Sequence, residues 1–447
     1  MKILLIEPTR YLANGKLLKS KQVLIPSLTL PLLAALIPQD SVISVVIELF
    51  EDINYDKELD LVGITSYTTN IHRAYEIADE FRRRKVPVVM GGIHVSMEPE
   101  EALEHADTII IGEAEETWPQ FINDFRNGRQ KKVYKAKERP SLANLPAPRF
   151  ALMNKRGYVG CQNRGLSRLF MKPVISIQTA RGCPYSCEYC SVTQFSGGHY
   201  RPRPIDDVVH EIKSLGVKFC FFVDDNIFAN PHRAKELFKA LIPLKITWFA
   251  NATINAAEDK ELIHLARRSG CTTLCIGLES LSRTCLKSVG KGVNKVEHYE
   301  KNLKVISNEG IGTIVSMMFG FDNEEPEVFR ETYNFLLRNR VPYTCWWPLT
   351  PLPGTPFYKR LKDQGRLKNE KWWLGHEGNA YDLHFTGTAI EPDVFSRMFY
   401  DYYRRFYSLG TIIRRILLPP QKRFLAKTLL NLKSRKRITL YTNILEH

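Results

Sequence analysis

The 447-residue chain contains no run of about 18 uncharged apolar residues, so no segment is suited to cross a bilayer as a helix. Its start, MKILLIEPTRYL, lacks a long apolar core and a small-residue cleavage site, and reads as a first β-strand instead of a signal peptide. Low-complexity tracts are absent, and 44% hydrophobic with 25% charged residues is a globular composition. Residues 1–135 contain no cysteine. Of the nine cysteines in the chain, Cys161, Cys220, Cys271, Cys275, Cys285 and Cys345 stand singly, mostly in apolar, strand-like surroundings. Such a scattered, odd-numbered set is no disulfide framework and points to a reducing cytosol. Acidic residues are missing near the other end: Tyr402 to Leu445 carries eleven Lys or Arg and no Asp or Glu, within a net charge of +15. That excess attracts phosphate groups of nucleic acid or anionic lipid, unless it only solvates helix faces.

What is present is alternation. In residues 1–135, short apolar runs (KILLIEP, SVISVVIELF, LDLVGITSY, VPVVMGG, ADTIIIGE) alternate with helix-period segments such as IHRAYEIADEFRRR. This predicts an α/β fold, a doubly wound parallel sheet with helices on both faces. Ligands of such sheets bind at the carboxyl ends of the strands. Those ends carry Ser66, Tyr67 and Thr68, then Gly91 and Gly92, then Gly112 and Glu113. The polar, proline-containing segment KKVYKAKERPSLANLPAPRF leads through a linker placed at residues 136–171. Across residues 172–355 one (β/α) unit recurs about every 35 to 45 residues, which predicts a partial (β/α) barrel with its site at the carboxyl mouth. Residues 356–447 read as a helical, basic, aromatic-rich C-terminal region, broken at Pro419-Pro420.

After the first barrel strand comes RGCPYSCEYCSV, which places Cys183, Cys187 and Cys190 in a C-x3-C-x2-C array. A zinc site wants a fourth N or S ligand at short spacing, and the nearest candidate is His199. A redox pair needs only two of the three thiols. Three thiolates on one tight loop suit a [4Fe–4S] cluster that leaves its fourth iron free of protein ligands.

The array, with Tyr189 just before its last cysteine, resembles that of the radical S-adenosylmethionine (SAM) enzymes. The resemblance implies that the free iron chelates SAM and that a 5′-deoxyadenosyl radical is generated, with Cys183, Cys187 and Cys190 as the catalytic metal ligands. It also implies roles at the other strand ends. FVDDN (Asp224, Asp225) falls where the family holds the SAM amino group, although the family's usual Gly-Gly-Glu is missing and a helix cap is the other reading. IGLES (Glu279, Ser280) falls at the ribose and methionine side, and FGFDNEE (Gly320) at the adenine side. LTPLPGTPFY recurs in the family, and no chemistry is assigned to it.

With its N-terminal domain the chain resembles the cobalamin-dependent class. The Asp-x-His-x-x-Gly cobalt-ligand motif is absent from residues 1–135, as is a G-x-G-x-x-G nucleotide fingerprint. The implied mode is base-off cobalamin held by the backbone and small side chains of GITSYTT, GGIHVS and IIGEAEE, with His94 expected at a loop or rim. The class implies methylation of an unactivated carbon in a small-molecule or lipid substrate, with an external one-electron reductant such as flavodoxin or ferredoxin. Alternatives are a cyclase, ring-rearranging or dehydrating enzyme without methyl transfer, and a non-catalytic sensor. A tRNA methylthiotransferase would need further cluster cysteines in residues 1–135. Tail residues Tyr402, Tyr403, Phe406 and Tyr407 with Arg404, Arg405, Arg414 and Arg415 either pack against the barrel or form a basic amphipathic surface for peripheral membrane contact. No RNA-binding signature is present, and no nucleic-acid partner is expected. The expected location is cytoplasmic, with membrane association through the tail as the open alternative.

Overall fold

The computed structural model describes residues 1–12, 14–21, 23, 25–158, 173–375, 382–418, 421, 425 and 427–435. Cys161 and Pro419-Pro420 lie outside the described residues.

The N-terminal sheet comprises β1 (Lys2–Glu7), β2 (Val42–Ile47), β3 (Leu61–Thr65), β4 (Val88–Gly91), β5 (Thr108–Ile111) and β6 (Val133–Lys135). All its pairings are parallel, in the order β2-β1-β3-β4-β5-β6. The central β1 and β3 are continuous apolar runs because both faces are covered, whereas the outer β2 alternates buried and less buried residues. Helix Ile71–Arg83 lays Ile71, Ala74, Tyr75, Ile77, Ala78 and Phe81 on one face of the sheet. Strand β6 arises within the segment read as polar linker. Its three residues bury only Tyr134, too little apolar sequence to signal a strand.

The second sheet comprises β7 (Ile175–Ile177), β10 (Phe219–Phe222), β11 (Thr247–Ala252), β12 (Cys271–Glu279), β13 (Gly312–Phe319) and β14 (Tyr343–Pro348). Its strands are all parallel and ordered β14-β13-β12-β11-β10-β7, an open (β/α) barrel of six strands. Between β7 and β10, a two-stranded antiparallel ladder of β8 (Ala180–Arg181) and β9 (Arg201–Pro202) closes the base of the loop that carries the three cysteines.

The C-terminal region divides its aromatics between both sheets. Trp372 and Trp373 join the core of the N-terminal domain, where Trp373 Nε1 donates to Glu101 at 3.0 Å. Phe395, Phe399, Phe406 and Tyr407 join the barrel core. Tyr403 stacks on Trp346 at 5.6 Å, and the Tyr407 hydroxyl donates to the Thr344 carbonyl at 2.8 Å. Of the two expectations for the tail aromatics, packing on the barrel is the one realised. Among the described residues no helix is long and apolar enough to cross a membrane.

Arg415 fixes this arrangement. It is fully buried, with its guanidinium 3.6 Å from the centroid of Phe406. It donates to the carbonyls of Val341, Pro342 and Phe406 at 2.8–3.0 Å and to Asn431 Oδ1 at 3.2 Å. Burial lowers its pKa to about 10. Replacing it leaves several buried acceptors unpaired, each costing about 1–3 kcal/mol. Arg415→Met is therefore expected to destabilise the protein by roughly 2–5 kcal/mol in denaturant titration and to open residues 425–435 to limited proteolysis.

Candidate functional site

The carboxyl ends of the two sheets face a common cavity of ≈ 520 Å³. Its N-terminal wall includes Glu7, Ser66, Tyr67, Gly91, Gly92, Gly112 and Glu113, and its barrel wall includes Arg181, Gly182, Phe221 and Asp225. Leu5, Leu30, Leu33, Ile64, Met90, Ile110 and Trp118 make its floor apolar. The sheet order reverses at β1 and β3, the position where open parallel sheets form a crevice.

Backbone geometry shapes this wall. Gly92 has a φ of 111°, and a Cβ there would run into the Ser66 carbonyl. Ser66 lines the cavity, and its buried Oγ has no hydrogen-bond partner among the described residues. Thr68 turns away from it: its Oγ1 meets His94 Nδ1 at 3.2 Å. His94 is not a rim residue. Its side chain is fully buried, with Nε2 3.2 Å from Glu101 Oε1, and burial lowers its pKa against the pull of Glu101. Both ring nitrogens are engaged inside the domain.

The cysteine loop is braced from several directions. Gly182 has a φ of 82°, and a Cβ there would strike the His199 carbonyl across the loop base. Its N–H donates to Asp225 Oδ2 at 2.9 Å. Asp224, which is 2% exposed, uses both carboxylate oxygens on Thr179, through its N–H (2.6 Å) and its hydroxyl. Burial pushes Asp224 up to about 6. Further along, Glu188 N–H donates to Val289 at 2.9 Å and the Glu188 carbonyl accepts from Phe357 N–H at 3.1 Å. Arg360 pairs with the Glu188 carboxylate at 3.2 Å. The segment LTPLPGTPFY thus supports the loop, which only the fold reveals.

The thiols look toward a charged group that the sequence did not single out. Burial raises Cys183 and Cys187, while Lys291 pulls both down. Lys291 Nζ is 3.7 Å from Glu279 Oε1, and both side chains are nearly buried. Burial opposes the charge on Lys291, but Glu279 and the three thiols outweigh it and hold its pKa above the usual lysine value. Burial and the nearby Glu279, Cys187 and Cys190 all raise the pKa of Tyr189, whose ring packs against the barrel core. Glu279 sits at a bulge with a φ of 67°, a strained backbone for a residue with a side chain. Ser280 Oγ accepts from Ser282 N–H at 3.1 Å, forming the turn after the strand. Gly320 N–H donates to Glu324 Oε2 at 2.7 Å, forming the next such turn.

Residues 177–336 match the radical SAM superfamily, and residues 37–122 match the B12 binding domain. The chain is 32% identical over 411 residues to bacteriochlorophyllide d C-8(2)-methyltransferase of Chlorobaculum tepidum, covering 88% of this chain and 88% of that one. It is also 32% identical over 364 residues to the C-12(1)-methyltransferase of the same organism, covering 80% of this chain and 76% of the relative. The chain belongs to the cobalamin-binding radical SAM family. A solved radical SAM methyltransferase, TsrM from Kitasatospora setae with cobalamin and a [4Fe–4S] cluster bound, shares the fold at a TM-score of 0.63 and 20% identity, covering 81% of this chain and 75% of that one.

Members of the cobalamin-binding radical SAM family use a [4Fe–4S] cluster, SAM and cobalamin, and the donors present fit all three. Three free cysteines lie on one braced loop. Among the described residues no three His, Cys, Asp or Glu side chains converge on a single-ion position, and a cube spaces its thiolates more widely than one ion does. The glycine-lined wall, where Gly91, Gly92 and Gly112 leave room that side chains would fill, suits a bulky ligand held without a histidine.

Glu324 provides a pH test of the strand-end geometry. It is 3% exposed, caps the N–H groups of Gly320 and Phe321, and burial raises its pKa to about 8. The folded chain therefore holds a proton that the unfolded chain has released, so stability falls as pH rises from about 4.5 to 8. Glu324→Gln should flatten the decline in apparent Tm over that window. An unchanged decline would assign it to other groups.

Proposed function

We propose that the chain transfers a methyl group to an unactivated carbon of a small apolar molecule, and that the cavity between the two sheets holds the reacting partners. The observation that supports this reading is that the residues flanking the cysteine array (Arg181, Gly182 and Val192) and the glycine-lined ends of the N-terminal sheet line one cavity. Both relatives above are named methyltransferases, which favours methyl transfer over cyclisation or dehydration.

When bound, the cofactors supply radical formation from SAM and a transferable methyl group. Cys183, Cys187 and Cys190 would hold the [4Fe–4S] cluster. Lys291 offsets part of the negative charge gathered by the thiolates and Glu279. Glu279 and Asp225 would accept N–H or O–H groups of SAM, while Asp224 acts through Thr179 to set the start of the loop. Tyr189 walls the cluster side, and Ser280 and Gly320 shape the turns against which the nucleoside lies. Ser66, Tyr67, Gly91, Gly92 and Gly112 would line the site of the cobalamin. Thr68 steadies this wall through His94, and Glu113 through its ion pairs with Arg181 and Arg201. The apolar floor excludes water from the radical. Domain limits of 1–135, 172–355 and 356–447, with the linker between the first two, go with this assignment. A small-molecule substrate and an external one-electron reductant complete the reaction.

Under anaerobic reducing conditions the holoenzyme is expected to form both 5′-deoxyadenosine and S-adenosylhomocysteine from SAM. Changing Cys183, Cys187 and Cys190 together to Ala should abolish 5′-deoxyadenosine and the brown charge-transfer colour. A triple variant that still cleaves SAM reductively would reject the cluster assignment. Formation of 5′-deoxyadenosine without S-adenosylhomocysteine in substrate turnover would favour a radical reaction without methyl transfer.

A further inference from the structure

Ten large hydrophobic side chains are exposed among the described residues, and six of them fall within residues 409–432: Leu409, Ile413, Leu418, Leu425, Leu429 and Leu432. Their spacing is helical. Leu409 and Ile413 are one turn apart, and Leu425, Leu429 and Leu432 follow the i, i+4, i+7 pattern of a single face. The opposite side of the same segment is the one that docks. Asn431 is fully buried against Arg415 and the Pro342 carbonyl, and the Lys427 carbonyl accepts from the Tyr343 hydroxyl at 2.8 Å. The aromatic residues of the preceding helix, Pro392–Phe406, are spent on the barrel core. The outward leucines are therefore a second apolar face, distinct from the one that folds the tail.

The charge along the segment that carries this face has one sign. Arg414 and Lys433 are exposed beside it, and no acidic residue occurs from Tyr402 to Leu445. Two such faces would repel each other, which disfavours a second copy of the chain as the occupant. A surface that is apolar, basic and too short to span matches an anionic bilayer interface. Its place in the fold sets the orientation. The tail anchors on Val341, Pro342 and Tyr343 at the amino end of β14 and passes Gly312 at the amino end of β13. The cavity lies at the carboxyl ends of the strands.

We propose that Leu409, Ile413, Leu418, Leu425, Leu429 and Leu432, with Arg414 and Lys433 beside them, form a peripheral docking surface for anionic membranes, which tethers the enzyme with its cavity turned away from the bilayer. The surface acts as an anchor, and substrate reaches the cavity from the opposite side.

The test is flotation of the anaerobic holoprotein with vesicles of phosphatidylcholine alone and of phosphatidylcholine with phosphatidylglycerol at about 3:1, in about 0.1 M and about 1 M salt. Binding is expected with the anionic vesicles at low salt, and about tenfold less with neutral vesicles or at high salt. Leu425→Asp with Leu429→Asp should abolish it while leaving Tm and the cobalamin spectrum unchanged. Arg414→Gln with Lys433→Gln should reduce it at low salt. The proposal is overturned if wild-type protein fails to float with anionic vesicles, if neutral vesicles bind it equally, or if the leucine variant floats as well as wild type. Sedimentation that instead reveals an oligomer broken by the leucine changes, with no vesicle binding, would make the face a contact between copies.

Discussion

The joining of the two sheets depends on one partly buried guanidinium. Arg181 stands two residues before Cys183 and reaches across to the N-terminal sheet, where it pairs with Glu113 at 2.7 Å and with Glu115. Arg201, its partner across the β8/β9 ladder, pairs with Glu113 as well, and Arg139 approaches the same carboxylate at 3.3 Å. The two acids are almost wholly buried, so their desolvation is tolerable only while the arginines stay in place. Burial works against the charges of Arg181 and Glu115, yet each holds the other in its ionised form. Removing one member strands buried charge, at a cost of about 3–5 kcal/mol. Glu113 thus serves the cavity wall by joining the domains.

From that cluster the order propagates along the chain. The ladder containing Arg181 and Arg201 sets the base of the cysteine loop, Asp224 and Asp225 hold its first residues, and Val289 holds its middle. Phe357 and Arg360 close it from the C-terminal side. Each contact comes from a different strand end, which is how a parallel barrel turns separate loops into one rigid site. Trp373 and Lys371 tie the C-terminal region to Glu101 of the N-terminal domain, so the two sheets are joined at a second point.

Much of this was legible because the relevant signals are local. Parallel strands buried on both faces are continuous apolar runs, and three cysteines within eight residues announce themselves. The glycines after β4 and β5 were readable for the same reason. What stayed hidden depends on distant pairing. Lys291 is an ordinary lysine in KGVNK until folding sets it beside Glu279 and the thiols. Trp373 meets Glu101 across 272 residues of sequence. His94 resembled a loop residue because its two partners, Thr68 and Glu101, come from separate elements. Asp224 and Asp225 stood out at a strand end, but their hydrogen bonds to the backbone of Thr179 and Gly182 at the start of the cysteine loop could not be read. Arginine–carboxylate networks of this kind carry no pattern in one dimension.

The central claim is that the Arg181 cluster holds the cysteine loop against the carboxyl ends of the cobalamin-binding sheet. Electron paramagnetic resonance of the anaerobically reduced holoprotein tests it most directly, through the magnetic interaction between the reduced cluster and Co(II) cobalamin. The account predicts a Co(II) signal broadened by the cluster in the wild type, and a loss of that broadening in Arg181→Met with both signals retained at full intensity. Two uncoupled signals in the wild type, or a coupling untouched by Arg181→Met, would contradict it.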